Sequence, residues 1–182
     1  MAKLAASTYG EALFELAVES NQADKYMQEA LAVIASFEEN SELVAMLNHP
    51  KIDKEKKIVT IEDIYSSFIS KDMVGFLVLA VRKGRHNEIP DILRYFVDKV
   101  KDYRKIGVVY VSTPMELSAQ QKAKVEAKLK ETTSYVSFEM NYSVDKSLIG
   151  GMVIRIGDRV VDSSIKRKLS DLSKDLNKIK MA

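Results

Sequence analysis

The hydrophobic positions in the first 105 residues recur at the three- and four-residue spacing of helices. This pattern predicts six helices separated by short polar segments. The apolar face of the first is formed by Ala5, Tyr9, Ala12, Leu13, Leu16 and Ala17. The apolar face of the sixth is formed by Ile89, Ile92, Leu93, Phe96, Val97 and Val100. The first part of the chain is therefore predicted to be an all-helical bundle.

Residues with known preferences for helix ends mark several of the predicted boundaries. Ser70 or Asp72 is expected to begin the fifth helix, and Gly84 to end it in the left-handed conformation. Asn87 is a candidate cap for the sixth helix, because a side-chain oxygen there can accept a bond from the first turn. The predicted apolar face of the fourth helix consists of Ile58, Ile61, Ile64 and Phe68.

After residue 105 the pattern changes from helical spacing to short strands. Residues 106–113 are rich in β-branched side chains, residues 135–142 alternate between apolar and polar, and glycines separate two further strands near 152–156 and 159–162. Ser118 and Gln121 have the spacing of a capping box that opens a helix. A last helix is predicted from the spacing of Ile165, Leu169, Leu172, Leu176 and Ile179.

Together these patterns predict an α+β protein. An N-terminal six-helix bundle would occupy residues 1–105, and a small C-terminal α/β domain would occupy residues 106–182. Two helices of the second domain are expected to share one face of its sheet.

The sequence offers little material for catalysis. It contains no cysteine, which excludes disulfides, thiolate nucleophiles and cysteine metal ligands. Its only histidines, His49 and His86, lie in separate predicted connections. Phosphate-binding glycine loops require a helix directly after the glycines, whereas Gly150 and Gly151 precede a strand. We therefore predict no catalytic residue, no cofactor and no metal site, and interpret these glycines as turn residues.

Charge and hydropathy exclude two further classes of protein. The net charge of +2 is far from the strongly basic balance of nucleic-acid-binding proteins. The basic cluster that begins at Lys166 alternates with Asp171 and Asp175 and has no aromatic residue to stack on bases. A solvated helix face explains this cluster better, and a helical nucleic-acid regulator is the competing hypothesis. No apolar run approaches the roughly 20 residues needed to cross a bilayer.

The first and fifth predicted helices carry more apolar surface than one contact with a core requires. The apolar arc of the first covers roughly two thirds of its circumference, and the fifth is apolar on all sides. Such helices are either central in a core or covered by a partner. We favour a groove between these two helices that accepts an amphipathic helix of another protein. A plain bundle core is the alternative interpretation.

Four segments of the chain have the character of a known family. They are Tyr-Gly-Glu-Ala-Leu-Phe-Glu-Leu-Ala at residues 9–17, Phe-Leu-Val-Leu at 76–79, Val-Tyr-Val-Ser-Thr-Pro-Met-Glu-Leu-Ser at 109–118 and, the most specific, Val-Asp-Lys-Ser-Leu-Ile-Gly-Gly-Met-Val-Ile-Arg-Ile-Gly-Asp-Arg-Val-Val-Asp-Ser-Ser at 144–164. These segments resemble the delta subunits of F-type ATP synthases, whose mitochondrial relative is the oligomycin-sensitivity-conferring protein. The resemblance runs from about residue 5 to 177. One departure is Gly75, where many members carry a polar residue.

The resemblance implies a non-catalytic stator subunit that links the catalytic head to the peripheral stalk, so that rotor torque is coupled to proton-driven ATP synthesis. Residues 1–105 would bind the N-terminal helix of an alpha subunit, and residues 106–182 the C-terminal region of the b subunit. It also implies a place on the cytoplasmic face of a bacterial membrane, reached only through the complex. Carried over by position, the alpha-subunit groove would consist of Tyr9, Ala12, Leu13, Leu16, Val74, Leu77, Val78 and Val81.

Overall fold

The computed structural model describes the backbone of residues 2–169 and the side chains from residue 6 onward. Helices come first along the chain and a mixed sheet follows, which confirms the predicted α+β class. The chain divides between Lys101 and Asp102 into two compact units, which we call unit 1 and unit 2. Each unit has a hydrophobic core of its own.

The described part of unit 1 consists of α-helices joined by short connections. One 3₁₀ turn, His86–Glu88, precedes the last of them. The helices are α1 (Ala2–Glu19), α2 (Ala23–Glu39), α3 (Ser41–Asn48), α4 (Lys54–Tyr65), α5 (Lys71–Arg82) and α6 (Ile89–Tyr103).

Helix α6 shows how the periodic pattern becomes a core. All six residues of its predicted apolar stripe are buried, and five of them join one cluster with residues of the other helices. The largest fully buried side chains of that cluster include Tyr26, Phe96, Leu47 and Met73. Burial of one large apolar side chain contributes about 1.5–3 kcal/mol. The buried stripe of α6 is therefore enough to hold this helix against the others.

Local capping signals place the ends of α5. The Ser70 hydroxyl accepts a hydrogen bond from the Met73 amide, and Gly84 has a φ of 72° just after the helix. Both features confirm the sequence prediction. The predicted cap at Asn87 is wrong, because Asn87 lies within the 3₁₀ turn and α6 begins only at Ile89.

The apolar face predicted for α4 is also partly wrong. Ile61 is fully buried, but Ile64 lies on the surface and Phe68 is 81% exposed. Tyr65 takes the buried position instead, since its hydroxyl donates to Ser36 Oγ at 2.9 Å and its ring stacks on Phe37. These partners on α2 decide which side of α4 turns inward.

In unit 2 the described strands form one mixed sheet in the order β2-β1-β3-β4. Strand β1 is parallel to β2 and antiparallel to β3, and β3 and β4 form an antiparallel pair. The elements are β1 (Ile106–Thr113), α7 (Ala119–Thr132), β2 (Ser137–Val144), β3 (Val153–Ile156) and β4 (Arg159–Asp162).

Helix α7 packs on one face of this sheet, over β1. Its Val125 and Leu129 pack on Val109 and Val111 of β1, which are fully buried. The predicted capping box is confirmed, since the Gln121 amide donates to the Ser118 hydroxyl and the Gln121 side chain accepts from the Ser118 amide.

The glycine cluster of unit 2 is explained by chain packing and turns. Gly157 lies between β3 and β4 with a φ of 53°. A Cβ on Gly151, whose φ is 80°, would lie only 2.4 Å from the carbonyl oxygen of Ser163. The turn interpretation therefore accounts for these glycines without a phosphate. Residues 165–169 are helical, and Leu172, Leu176 and Ile179 of the predicted last helix lie outside the described residues.

Candidate partner-binding groove

Helix α1 has a buried side, a polar side and an apolar border between them. Leu13 is buried in the core, with 2% of its side chain exposed. At about 100° per residue, Tyr9, Ala12 and Leu16 lie beside it on the solvent side. Tyr9 is half-buried, whereas Ala12 and Leu16 are exposed. Of the four α1 residues predicted for the groove, three can therefore meet a partner, and Leu13 lies beneath them.

Helix α5 divides its predicted groove residues in the same way. Leu77 and Val81 are buried in the core, whereas Val74 and Val78 are half-buried at its edge. The strip of α5 that faces solvent continues from Val74 and Val78 onto Gly75 and Leu79, both exposed. Sequence reasoning did not include these last two residues. The spacing of the residues could have indicated them, because positions 74, 75, 78 and 79 lie on one side of a helix.

Contacts at two levels of α1 indicate that α1 and α5 run antiparallel to each other. In the middle of α1, the guanidinium of Arg85, just beyond the end of α5, lies 5.5 Å from the centre of the Tyr9 ring. Near the end of α1, Ser20 lies close to the hydroxyl of Tyr26, which donates a hydrogen bond to the Asp72 carboxylate in the first turn of α5. The two apolar strips therefore run alongside each other, and we call them together the α1/α5 groove.

The electrostatics of the groove are set at its ends. The hydrogen bond to Asp72 and burial raise the pKa of Tyr26, which keeps its phenol protonated. Arg85 pairs with Glu88 at 2.9 Å, a contact that raises the pKa of the guanidinium. Both polar groups are thus committed to contacts within the chain, and the length of the groove between them is apolar.

No group of three or more His, Cys, Asp or Glu side chains among the described residues could hold a metal ion. His86 Nε2 lies 3.2 Å from Asn48 Oδ1, and burial followed by the nearby Lys57 lowers the pKa of its imidazole. The α1/α5 groove itself is lined by apolar side chains of both helices.

Three comparisons with known proteins point in one direction. A family model described as "ATP synthase delta (OSCP) subunit" matches residues 5–176. The chain is 52% identical over 181 residues to an ATP synthase subunit delta of Lachnoclostridium phytofermentans, with all of both chains covered. It is 31% identical over 174 residues to a subunit delta of Acetivibrio thermocellus, covering 96% of this chain and 98% of that one.

A solved structure shares the fold. A chain in the cryo-EM structure of the Toxoplasma gondii mitochondrial ATP synthase hexamer matches with a TM-score of 0.67 and 21% identity. The match covers 94% of this chain and 96% of that chain. At this identity the likeness is one of fold.

Proposed function

This chain belongs to the ATP synthase delta (OSCP) subunit family, the peripheral-stalk components of F-type ATP synthases, and we propose that it binds the alpha subunit through the α1/α5 groove. Unit 1 holds the N-terminal helix of an alpha subunit, and unit 2 holds the C-terminal region of the b subunit. The chain is a mechanical link with no catalytic step of its own. Residues 1–105 act as a six-helix bundle whose last layer is supplied by the partner.

The observation that carries this proposal is an apolar strip on each of two antiparallel helices. Leu16 on α1 and Leu79 on α5 are each more than 40% exposed, and Val74 and Val78 extend the second strip. Below them Leu13, Leu77 and Val81 are already buried and form the floor. An amphipathic helix laid along the strips would bury the exposed side chains, as in helix-in-groove recognition.

An apolar contact suits a stator. Rotation of the rotor pulls on the catalytic head in both synthesis and hydrolysis, and the link must hold at the ionic strength of the cell. Charge pairs at a surface weaken as salt screens them, whereas burial of apolar area does not.

The chain reaches the membrane through its partners. Within the described residues no helix is both long enough and apolar enough to span a bilayer. A peripheral position on the cytoplasmic face of a bacterial membrane, held by alpha and b, follows from the proposed function.

The test is a calorimetric titration of the full chain with a peptide of the alpha-subunit N-terminal helix. Leu16→Asp places a carboxylate in the groove, where a buried unpaired charge is strongly unfavourable. We expect it to weaken binding at least about tenfold. Leu31→Asp is the matched control, because Leu31 on α2 is 45% exposed against 41% for Leu16. It should leave the affinity within about twofold.

Equal losses for the two variants, or none for Leu16→Asp, would contradict binding at this groove. Salt dependence distinguishes the competing nucleic-acid hypothesis. Peptide binding in the groove should change little between 50 and 300 mM salt, whereas binding through phosphate contacts should fall by orders of magnitude.

A further inference from the structure

Strand β2 forms one edge of the sheet in unit 2, and within the described residues no strand lies along its outer side. An edge strand directs backbone N–H and C=O groups away from the sheet, where another strand can pair with them. Strand β2 is eight residues long, so this row of groups is as long as an ordinary strand. The outer side of β2 is therefore a surface on which a further strand can pair.

Proteins usually protect such an edge with a short strand, with charged side chains or with proline. The opposite edge of this sheet has that protection, because β4 has four residues and two of them are Arg159 and Asp162. Strand β2 contains no lysine, arginine, proline or glycine, and Glu139 is its one charged residue. The sheet is thus protected against pairing at one edge and open to it at the other.

The two faces of β2 differ in character. Phe138, Met140 and Tyr142 pack on the core of unit 2 beside α7 and are half-buried. Val144 continues this row at the end of the strand and is 48% exposed. Polar residues form the other face, namely Ser137, Glu139, Asn141 and Ser143. A strand that pairs with β2 must therefore be apolar on the α7 side and polar on the other.

A second copy of β2 has this alternation. Two identical edges pair about a two-fold axis, which makes the strands antiparallel and keeps both α7 helices on one face. With the axis at Asn141, Phe138 lies opposite Val144 of the second copy and Met140 lies opposite its Tyr142. The exposed Val144 is then covered by an aromatic ring.

The polar face matches in the same register. Glu139 lies opposite Ser143 of the second copy, and the two Asn141 side chains meet at the axis. No two like charges come together. The amide of each Asn141 can donate to the other, which adds a hydrogen bond on the solvent side of the sheet.

Neighbouring registers fit less well. An axis at Glu139 would bring two carboxylates together, and an axis at Tyr142 would place Glu139 opposite Asp145. An axis at Met140 would place Val144 opposite residue 136, which lies outside the strand. The register centred on Asn141 is therefore the one that avoids like charges and also covers Val144.

The sheet leaves room for both helices. Helix α7 packs over β1, and in the paired sheet the two β1 strands are three strand spacings apart, about 14 Å. A helix with its side chains is about 10 Å across. The two α7 helices can thus lie side by side without overlap. The apolar row of each β2 lies beneath the space between them.

Two other occupants fit this edge less well. The apolar positions in residues 170–182 follow the three- and four-residue spacing of a helix and do not alternate as a strand requires. Pairing of β2 with β4 of a second copy would cover only four residues and would leave further edges open to continued growth.

We propose that two copies of this chain pair through the outer edges of β2, antiparallel about a two-fold axis at Asn141, and form one continuous sheet. The inference concerns the chain by itself and does not rest on the proposed function. Because the two-fold arrangement uses both β2 edges, it ends at a dimer.

Sedimentation of the full chain over about a hundredfold range of concentration measures the dimer. Asn141→Lys and Asn141→Asp each bring two like charges together at the axis, so each should weaken dimerisation at least about tenfold. A mixture of the two variants pairs opposite charges and should dimerise at least about tenfold more tightly than either alone. This recovery would show that both variants are folded.

Asn87→Lys is the matched control. Asn87 is exposed in the 3₁₀ turn of unit 1, so the same change of side chain is made away from the sheet. It should leave the dimerisation constant within about twofold. Equal losses for Asn87→Lys and Asn141→Lys would contradict pairing at β2, because they would show an effect of net charge alone.

Disulfide formation tests the register, since the natural chain contains no cysteine. In the proposed dimer the two residues at position 141 have Cα atoms about 4.5–5.5 Å apart, within the range of a disulfide. Asn141→Cys should therefore cross-link on mild oxidation. The two residues at position 140 are about 8 Å apart in this register, so Met140→Cys should not cross-link.

Four results would overturn the proposal. They are a chain that stays monomeric at every concentration, a cross-link at position 140 and not at 141, growth beyond a dimer, and dimerisation unchanged by Asn141→Lys. A monomer that becomes a dimer on deletion of residues 170–182 would show that the chain's own residues cover the edge, which would also contradict pairing of the intact chain.

Discussion

No contact within the chain requires a glycine at position 75. It is in the interior of α5, and a Cβ built on it would meet no atom within 4 Å. Glycine in an exposed helix interior is about 0.8–1 kcal/mol less favourable than alanine. Gly75→Ala should therefore stabilise unit 1 by up to about 1 kcal/mol. For a unit of this size that raises the melting temperature by roughly 4 °C.

The same substitution is expected to weaken binding of the alpha-subunit helix. Gly75 lies between Val74 and Val78 on the strip that the proposed partner covers, so a methyl group would fill space that the partner uses. Overpacking by one methyl group typically costs 1–3 kcal/mol. The affinity should fall at least about fivefold. A substitution that raises the stability and lowers the affinity would indicate that the glycine is needed for contact with the partner.

Scanning calorimetry measures the stability of the Gly75→Ala chain, and titration with the alpha peptide measures its affinity. A higher melting temperature with unchanged affinity would show that no partner approaches α5 at Gly75. A lower melting temperature would contradict the open space observed around Gly75. Leu31→Ala, on the exposed side of α2, provides the control for a small apolar change away from the groove.

Two further predictions concern the packing of α1 on α6. Gly10→Ala should destabilise unit 1 by about 1–3 kcal/mol in urea unfolding, because its Cβ would lie 2.5 Å from the Tyr95 ring and 3.2 Å from the Ile92 carbonyl oxygen. A cost below about 0.3 kcal/mol would show that the Tyr95 ring moves aside freely. The hydrogen bond from Lys99, followed by that from Tyr95, lowers the pKa of Glu11. The ionised Glu11 carboxylate therefore stabilises the fold at neutral pH, and this stabilisation is lost as the pH falls through the lowered pKa. The free energy of unfolding of Glu11→Gln should consequently depend less on pH below about 4.5 than that of the unaltered chain. Identical pH profiles for the two proteins would contradict this.

Local signals in the sequence were sufficient for much of the fold. The α6 stripe, the Ser70 cap, the Ser118 capping box and the turn at Gly157 each depend on residues a few positions apart. Such local interactions form independently of how the rest of the chain is arranged. These predictions are confirmed for that reason.

The side that a helix buries could be predicted only where the pattern is one-sided. Helix α5 is apolar on nearly all sides, so periodicity alone did not separate the buried Leu77 and Val81 from the exposed Leu79. On α4 the inward position of Tyr65 depends on Ser36 and Phe37, which are far away in sequence. The groove residues remain predictions for the same reason, since their role depends on a second chain.

The α1/α5 groove suits the proposed task because its ends are fixed by contacts within the chain. Contacts within the chain fix the ends of the α1/α5 groove, through Tyr26 and Asp72 at one end and Arg85 at the other. A partner helix bound there as proposed would find its site already arranged and would lose little free energy in ordering it. Apolar burial along this groove would thus hold the head.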